Sequence, residues 1–146
     1  MRVFGHPLHP ALVHFPIGLL LSASAVDVAW LASLCSDVHL AAVLMAGGLV
    51  MGLVAMGAGL IDFAGLDQAV VPHAVRHMAA VGTAWLGYAV ALYLRRDVLQ
   101  GGADPGTVSV LLSLASAAVL ALGGFLGGRL VYTFGAGIAK PTRSAE

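Results

Sequence analysis

Long stretches without a charged side chain constrain this 146-residue chain more than any other feature of its sequence. Residues 40–61 and 107–128 each run for 22 residues with no formal charge, residues 3–26 run for 24, and residues 78–94 run for 17. A helix that crosses the hydrocarbon core of a bilayer needs about 20 apolar residues. The chain therefore has four segments that can span a membrane.

The composition supports this interpretation and excludes several classes of protein. Apolar residues make up 60% of the chain and charged residues 10%, whereas soluble domains have about 45–50% and 25%. Too few charges remain to cover a surface in water, which excludes a soluble globular enzyme and a disordered chain. A formal net charge of zero argues against a nucleic-acid partner, and the single cysteine, Cys35, excludes an internal disulfide framework.

The sequence predicts an all-α integral membrane protein, a four-helix up-down bundle that forms one domain over residues 1–146 and is surrounded by the lipid bilayer. The predicted spans are about 11–34, 39–63, 73–95 and 106–132, and their short connections favour antiparallel neighbours. The third span is long enough if its two ends, at Arg76 and His77 and at Arg95, extend to the membrane interface. Small residues such as Gly48 and Gly52 favour close helix packing, within the bundle or in a homo-oligomer. No convincing internal repeat is evident in the sequence.

The distribution of Lys and Arg predicts the orientation. Four spans place both termini and the middle loop on one side of the membrane, and this side carries four basic residues: Arg2, Arg76, Lys140 and Arg143. The other side carries Arg95 and Arg96. Because basic loops stay in the cytoplasm, we expect cytoplasmic termini.

Polar residues are concentrated at one end of the predicted bundle. The first and third helices run in the same direction, so their starts meet the ends of the second and fourth helices. This topology gathers most of the ionisable groups at one membrane face: His6, His9, His14, His73, His77, Asp62, Asp67, Arg76, Arg129 and Tyr132. Ionisable side chains within a membrane are costly and usually functional, which makes this end the candidate site.

The histidine positions favour a haem. His14 and His77 each lie about one turn inside their helices, and neutral imidazoles at matching depth can bind a haem iron from both sides. Gly18, one turn after His14, would leave room for the macrocycle. Arg76, Arg129 and Tyr132 would bind the haem propionates or a quinone headgroup. This hypothesis describes a small membrane redox protein that binds a b-type haem and transfers electrons between quinone and a partner protein.

Two alternatives remain open at this point. The same end could hold copper or zinc, with His6, His9 and His73 as ligands and Asp62 as a proton relay, because imidazole suits both metals. The histidines could also only cap and pack helices in a structural subunit of a larger membrane complex. No motif for hydrolysis, phosphate binding or nucleophilic catalysis is present, so no enzymatic activity is assigned.

Residues 6–10 (HPLHP) followed by residues 14–18 (HFPIG) resemble the opening signature of a bacterial membrane family catalogued as domain of unknown function 2231. The similarity continues through Asp27, residues 59–62 (GLID), His77 and residues 127–132 (GGRLVY). The resemblance implies a four-span protein of the bacterial cytoplasmic membrane with no assigned activity.

Some relatives in this family carry fused redox modules such as Rieske-type domains, which favours electron transfer by association only. The tail of the family usually has a histidine before its final glycine pair, and Phe134 occupies that position in this chain. Any role of that histidine therefore does not carry over.

Overall fold

The computed structural model describes residues 2–3, 6–102 and 104–136, with side chains from residue 9 onward. Two-residue strands β1 (Arg2–Val3) and β2 (His6–Pro7) pair antiparallel at the N-terminus. The other regular elements of the described chain are helices. The helices are α1 (Leu8–Leu12), α2 (His14–Leu31), α3 (Val38–Phe63), α4 (Val71–Leu94), a 3-10 helix (Arg96–Gln100) and α5 (Thr107–Tyr132).

The predicted all-helical membrane architecture is confirmed. Four helical segments are long and apolar enough to cross a bilayer: His9–Leu31, Val38–Phe63, Val71–Leu94 and Thr107–Tyr132. The first of these combines most of α1 with α2, which follow each other across Val13. Each helix satisfies its backbone groups internally, which is what the hydrocarbon core requires.

Local sequence signals explain where several helices begin. The Asp37 carboxylate accepts a hydrogen bond of 3.0 Å from the Leu40 amide and so caps α3. Pro72 lies in the first turn of α4, where its missing N–H costs nothing. Before α5, Gly106 adopts a φ of 73°, and its amide donates to the Asp104 carboxylate. These signals fix the loops and bring the helices back as antiparallel neighbours.

The bundle consists of two helical hairpins. Hairpin one contains α1, α2 and α3, and hairpin two contains α4 and α5. Within each hairpin the two long helices pack extensively, and between hairpins α2 packs on α5 while α3 packs on α4. The starts of α2 and α4 therefore share one end of the bundle with the ends of α3 and α5. We call this the histidine end, and the other the ion-pair end.

The buried faces of the two hairpins repeat at a spacing of 68 residues. On α2 and α4 the buried pairs are Pro16 and Ala84, Leu20 and Tyr88, Ala23 and Ala91, and Asp27 and Arg95. On α3 and α5 they are Ala41 and Ser109, Ala42 and Val110, Met45 and Ser113, Gly48 and Ser116, Gly52 and Leu120, and Ala55 and Gly123. The two hairpins are thus structural repeats, although equivalent positions mostly hold different residues.

The two hairpins pack against each other like two units related by an approximate two-fold axis. The first long helix of each hairpin packs on the second long helix of the other. Such reciprocal contacts define a two-fold interface, in which each surface patch meets its equivalent. Parallel repeats related by an axis along the membrane normal are a known design in membrane proteins. The axis runs along the bundle, between α2 and α4.

Candidate functional site

His9 inserts its ring into a groove on the surface of α3. Its Nδ1–H donates a hydrogen bond of 2.8 Å to the carbonyl oxygen of Ala55. One turn further along α3, Gly59 leaves space for the ring, since a Cβ there would lie 2.9 Å from the His9 Cε1 atom. Because a carbonyl only accepts, this bond places the proton of a neutral imidazole on Nδ1.

His77 makes the same arrangement in hairpin two. Its Nδ1–H donates a hydrogen bond of 2.9 Å to the carbonyl oxygen of Gly123 on α5. A Cβ on Gly127 would lie 2.8 Å from the His77 Cε1 atom. In both hairpins the histidine and its carbonyl partner are separated by 46 residues. The two imidazoles therefore occupy equivalent positions of the repeat.

This geometry fixes the tautomer and the ring plane of both imidazoles. With the proton held on Nδ1, the lone pair of Nε2 is available for a metal, and the carbonyl fixes the plane of the ring. The rings come from different hairpins, and each is oriented by a carbonyl of its own hairpin. A two-fold relation also gives them the same depth in the membrane. The structure thus places His9 and His77 at equivalent positions of the histidine end.

The other predicted haem-site residues lie on the outside of this end. His14 is exposed on α2, and Gly18 faces open space, with nothing within 4 Å of a Cβ built on it. Arg76 and Arg129 are exposed near the start of α4 and the end of α5, and Tyr132 is 89% exposed. The exposure of His14 sets it apart from His77, with which it was paired in the sequence-based hypothesis.

The predicted metal-site residues do not form a cluster among the residues that the structure describes. The ring of His73 stacks on Phe134, with centroids 4.3 Å apart. His9 points into α3, Asp62 is half-buried near the end of α3, and the side chain of His6 lies outside the described residues. Within residues 9–102 and 104–136, no group of three or more His, Cys, Asp and Glu side chains is arranged to hold a metal ion.

The ion-pair end contains a buried salt bridge that the sequence hypothesis missed. Arg95 does not extend to the membrane interface, and that expectation is wrong: its side chain turns inward and is 1% exposed. Its two terminal nitrogens donate to the Asp27 carboxylate at 2.7 and 3.0 Å. Its Nε donates to Ser109 at 2.6 Å, and Ser109 donates in turn to the carbonyl of Ala91. Every polar group of this pair is satisfied, as burial requires.

A second set of buried hydroxyls extends the polar contacts toward the middle of the bundle. Ser24 on α2 shares a hydrogen bond of 2.8 Å with the Tyr88 hydroxyl on α4 and one of 2.9 Å with the Ser113 hydroxyl on α5. Near this level, the Trp85 indole donates to the carbonyl of Leu49 on α3 at 3.0 Å. These bonds join the two hairpins, whereas His9 and His77 each bond within their own hairpin.

Adding a methyl group at Gly59 or Gly127 tests the imidazole grooves. We expect Gly59→Ala and Gly127→Ala to push the adjacent ring from its groove and lower the free energy of unfolding by about 1–3 kcal/mol, as overpacking does. Unfolding of the detergent-solubilised protein in sodium dodecyl sulfate measures the change.

Two nearby glycines provide the matched controls. Nothing lies within 4 Å of a Cβ built on Gly57 or Gly124, so alanine at these positions should leave the stability close to wild type. Equal stability for all four alanine variants would contradict the described contacts.

The fold, its four apolar helices and its buried polar contacts define the class of the chain as a multi-pass helical membrane protein. The model of the family described as predicted membrane protein (DUF2231) matches residues 5–140. The chain belongs to this family. No curated protein and no solved structure matches it.

Proposed function

We propose that this membrane protein binds one b-type haem at its histidine end, where His9 and His77 would hold the iron through their Nε2 atoms. The observation that carries the proposal is the equivalence of the two imidazoles, each with Nδ1 bonded to a carbonyl and each seated beside a glycine. A backbone carbonyl that holds one ring nitrogen is the usual support of a metal-bound histidine. A site with two equivalent ligands on either side of an axis suits an iron that is coordinated from both faces.

The number of ligands favours haem over zinc. A porphyrin supplies four nitrogens to the iron, so two side chains complete its coordination. A zinc site draws three or four ligands from the protein. Among the described residues no group of three candidate ligands is found, which supports the cofactor that needs only two.

The ligand pair of this proposal differs from the one expected from sequence. His9 replaces His14, because His9 is half-buried with an oriented ring while His14 is exposed. The replacement keeps one ligand in each hairpin. It also keeps both ligands at the end of the bundle where Arg76 and Arg129 lie.

The basic residues at this end would orient the haem. Arg76 and Arg129 both belong to hairpin two, and the equivalent positions of hairpin one are Leu8 and Ile61. The haem propionates, which are anionic, would therefore point toward hairpin two. Tyr132, at the exposed end of α5, would contact a propionate or the headgroup of a quinone.

The proposed activity is transfer of single electrons. When bound, the haem would supply one-electron redox chemistry. A membrane hydroquinone supplies two electrons in two steps and releases two protons to water, leaving a quinone. A partner redox protein accepts each electron. The chain's own residues hold the iron through His9 and His77 and keep the propionates at the membrane surface.

Titration of the purified protein with haem, with metal analysis of the same preparation, tests the proposal. We expect a low-spin six-coordinate absorption spectrum that saturates at one haem per chain. Stoichiometric copper or zinc without haem binding would favour the metal site instead. Neither haem nor metal would favour the structural subunit and would contradict the proposal.

The two arginines can be tested in the same titration. We expect Arg76→Gln and Arg129→Gln each to weaken haem binding by roughly two- to fivefold, the range of an exposed ion pair. The spectrum should keep its low-spin form, because neither variant changes a ligand. Arg96→Gln, an exposed arginine at the ion-pair end, is the control. An equal loss in all three variants would show a nonspecific charge effect.

A further inference from the structure

Asp27 and Arg95 occupy equivalent positions of the two hairpins. Arg95 lies 68 residues after Asp27, which is the spacing that also relates His9 to His77 and Gly59 to Gly127. A two-fold rotation exchanges equivalent positions, so two such residues in contact must lie across the axis from each other. The Asp27–Arg95 pair, with a contact of 2.7 Å, therefore marks where the axis passes through the ion-pair end.

We propose that the Asp27–Arg95 ion pair, which lies on this axis, fixes how the two hairpins pack against each other and thereby sets the distance between His9 and His77. We call this ion pair the pin. Both residues are positioning residues, since neither lies at the histidine end. The proposal deepens the proposed function and rests on it only for the haem readout; the hairpin geometry is tested without haem.

The geometry of the ion pair suits the role of holding the two hairpins in a fixed relative position. Arg95 engages Asp27 with two parallel hydrogen bonds, a fork that fixes orientation as well as distance. Its third bond, to Ser109, ties the same guanidinium to α5. The contact therefore joins three of the four long helices at one point. Sliding or rotation of one hairpin against the other would break it and leave buried charges unpaired, which is costly.

The pin and the imidazoles are connected by the same two helical segments. His9 lies 18 residues before Asp27, and His77 lies 18 residues before Arg95. At 1.5 Å per residue, 18 helical residues span about 27 Å. A change in the angle between hairpins at the pin would therefore change the distance between the two rings. Because the two helical segments have the same length, the two rings should move symmetrically about the axis.

The symmetry provides a specific test, since the charges can be exchanged across the axis. In Asp27→Arg/Arg95→Asp the pair is kept but reversed. The equivalent of Ser109 is Ala41, which is buried, so adding Ala41→Ser gives the relocated arginine the hydroxyl that Arg95 has in the wild type. The single variants Asp27→Asn and Arg95→Gln break the pair. Arg96→Gln, in the exposed contact with Asp97, is the matched control.

The readout is the distance between spin labels on the full-length protein, measured by pulsed electron paramagnetic resonance. Phe15→Cys and Thr83→Cys, in a Cys35→Ser background, place the labels on exposed and equivalent positions of α2 and α4. We expect one narrow distance distribution in the wild type, in the control and in the triple exchange variant. The single variants should give a broader distribution with a shifted mean.

Two results would overturn the proposal. One is an unchanged distance distribution in the folded single variants; the other is an exchange variant no closer to wild type than they are. If the single variants do not fold, Arg95→Lys takes their place, because lysine keeps the charge but lacks the fork. A broader distribution then supports the pin, and an unchanged one contradicts it.

The same samples separate this proposal from the proposed function. If the distances respond as expected and the wild type binds no haem, the pin stands and the haem assignment fails. If the wild type binds haem and the distances do not respond, the pin fails alone. With both correct, the folded single variants should show a shifted haem reduction potential at unchanged ligands, and the triple exchange should restore it.

Discussion

If His9 and His77 hold the haem iron as proposed, replacing either with alanine should abolish the low-spin haem spectrum, because each variant removes one of the two imidazole nitrogens. We expect a five-coordinate high-spin spectrum or complete loss of haem, and an affinity lower by at least about tenfold if one ligand contributes about 1.4 kcal/mol or more. The two variants should be alike, since the two imidazoles are equivalent in position and in hydrogen bonding. Absorption spectra during haem titration measure both effects.

Two other histidines separate ligation from simple loss of an imidazole. His39→Ala removes a ring whose Nδ1 bonds to the Val98 carbonyl at 3.2 Å, the same type of contact at the ion-pair end. His14→Ala removes an exposed imidazole at the histidine end. Both variants should retain the wild-type spectrum. Loss of the spectrum in His14→Ala with retention in His9→Ala would restore the ligand pair expected from sequence.

Replacing Asp27 with asparagine should lower the free energy of unfolding by about 3–5 kcal/mol, the range for breaking a buried ion pair from one side. The Arg95 guanidinium would stay buried without a carboxylate to balance its charge, and it would keep its hydrogen bond to the Ser109 hydroxyl. Unfolding in sodium dodecyl sulfate, followed by far-ultraviolet circular dichroism, measures the loss. The exposed Asp97→Asn should change the stability little, since exposed pairs contribute at most about 1 kcal/mol.

A double variant distinguishes the stability of the pair from its positioning role. Asp27→Leu/Arg95→Met replaces both charges with apolar groups and should recover much of the stability lost in Asp27→Asn. It should not recover the narrow hairpin distance, because apolar side chains do not impose the fork. Equal instability of the double and single variants would mean that local packing, rather than the unpaired charge, causes the loss.

The architecture could be predicted because the bilayer imposes it. Runs of uncharged residues such as 40–61 and 107–128 have one folded form available in hydrocarbon, and short loops leave little choice of topology. The bilayer places no such constraint on which side chains contact each other inside the bundle. Arg95 lies at the end of a span, where long basic side chains often extend to the interface. Its partner Asp27 is 68 positions away, and nothing local to either residue indicates the pair.

The choice between His9 and His14 depended on which face of the first helix is buried. The buried positions of α2 are Pro16, Leu20, Ala23, Ser24 and Asp27. His14 lies two residues before Pro16, about 200° around the helix, and so faces outward. His9 lies seven residues before Pro16, which is close to two turns and returns to the buried face. The same spacing of seven residues relates His77 to the buried Ala84. A histidine seven residues before a buried helix position would therefore have been the signal for both rings.

The repeat could not be seen in the sequence because its halves have diverged in residue type while keeping the packing. Asp27 matches Arg95, Leu20 matches Tyr88, and Ala41 matches Ser109. Each pair keeps a buried position but changes size, polarity or charge. Few equivalent positions stay identical, and among them are His9 with His77 and Gly59 with Gly127, which build the two imidazole grooves.

Pulsed electron paramagnetic resonance of the ferric haem complex, in protein labelled with ¹⁵N-histidine, would identify the histidines that bind the iron. We expect a low-spin signal coupled to two equivalent imidazole nitrogens in the wild type. In His9→Ala and in His77→Ala the low-spin signal should give way to a high-spin signal coupled to one imidazole nitrogen, or be lost with the haem, whereas His14→Ala should keep both couplings. Coupling to fewer than two imidazole nitrogens in the wild type, or an unchanged pair of couplings in His9→Ala, would contradict the proposed ligation by His9 and His77.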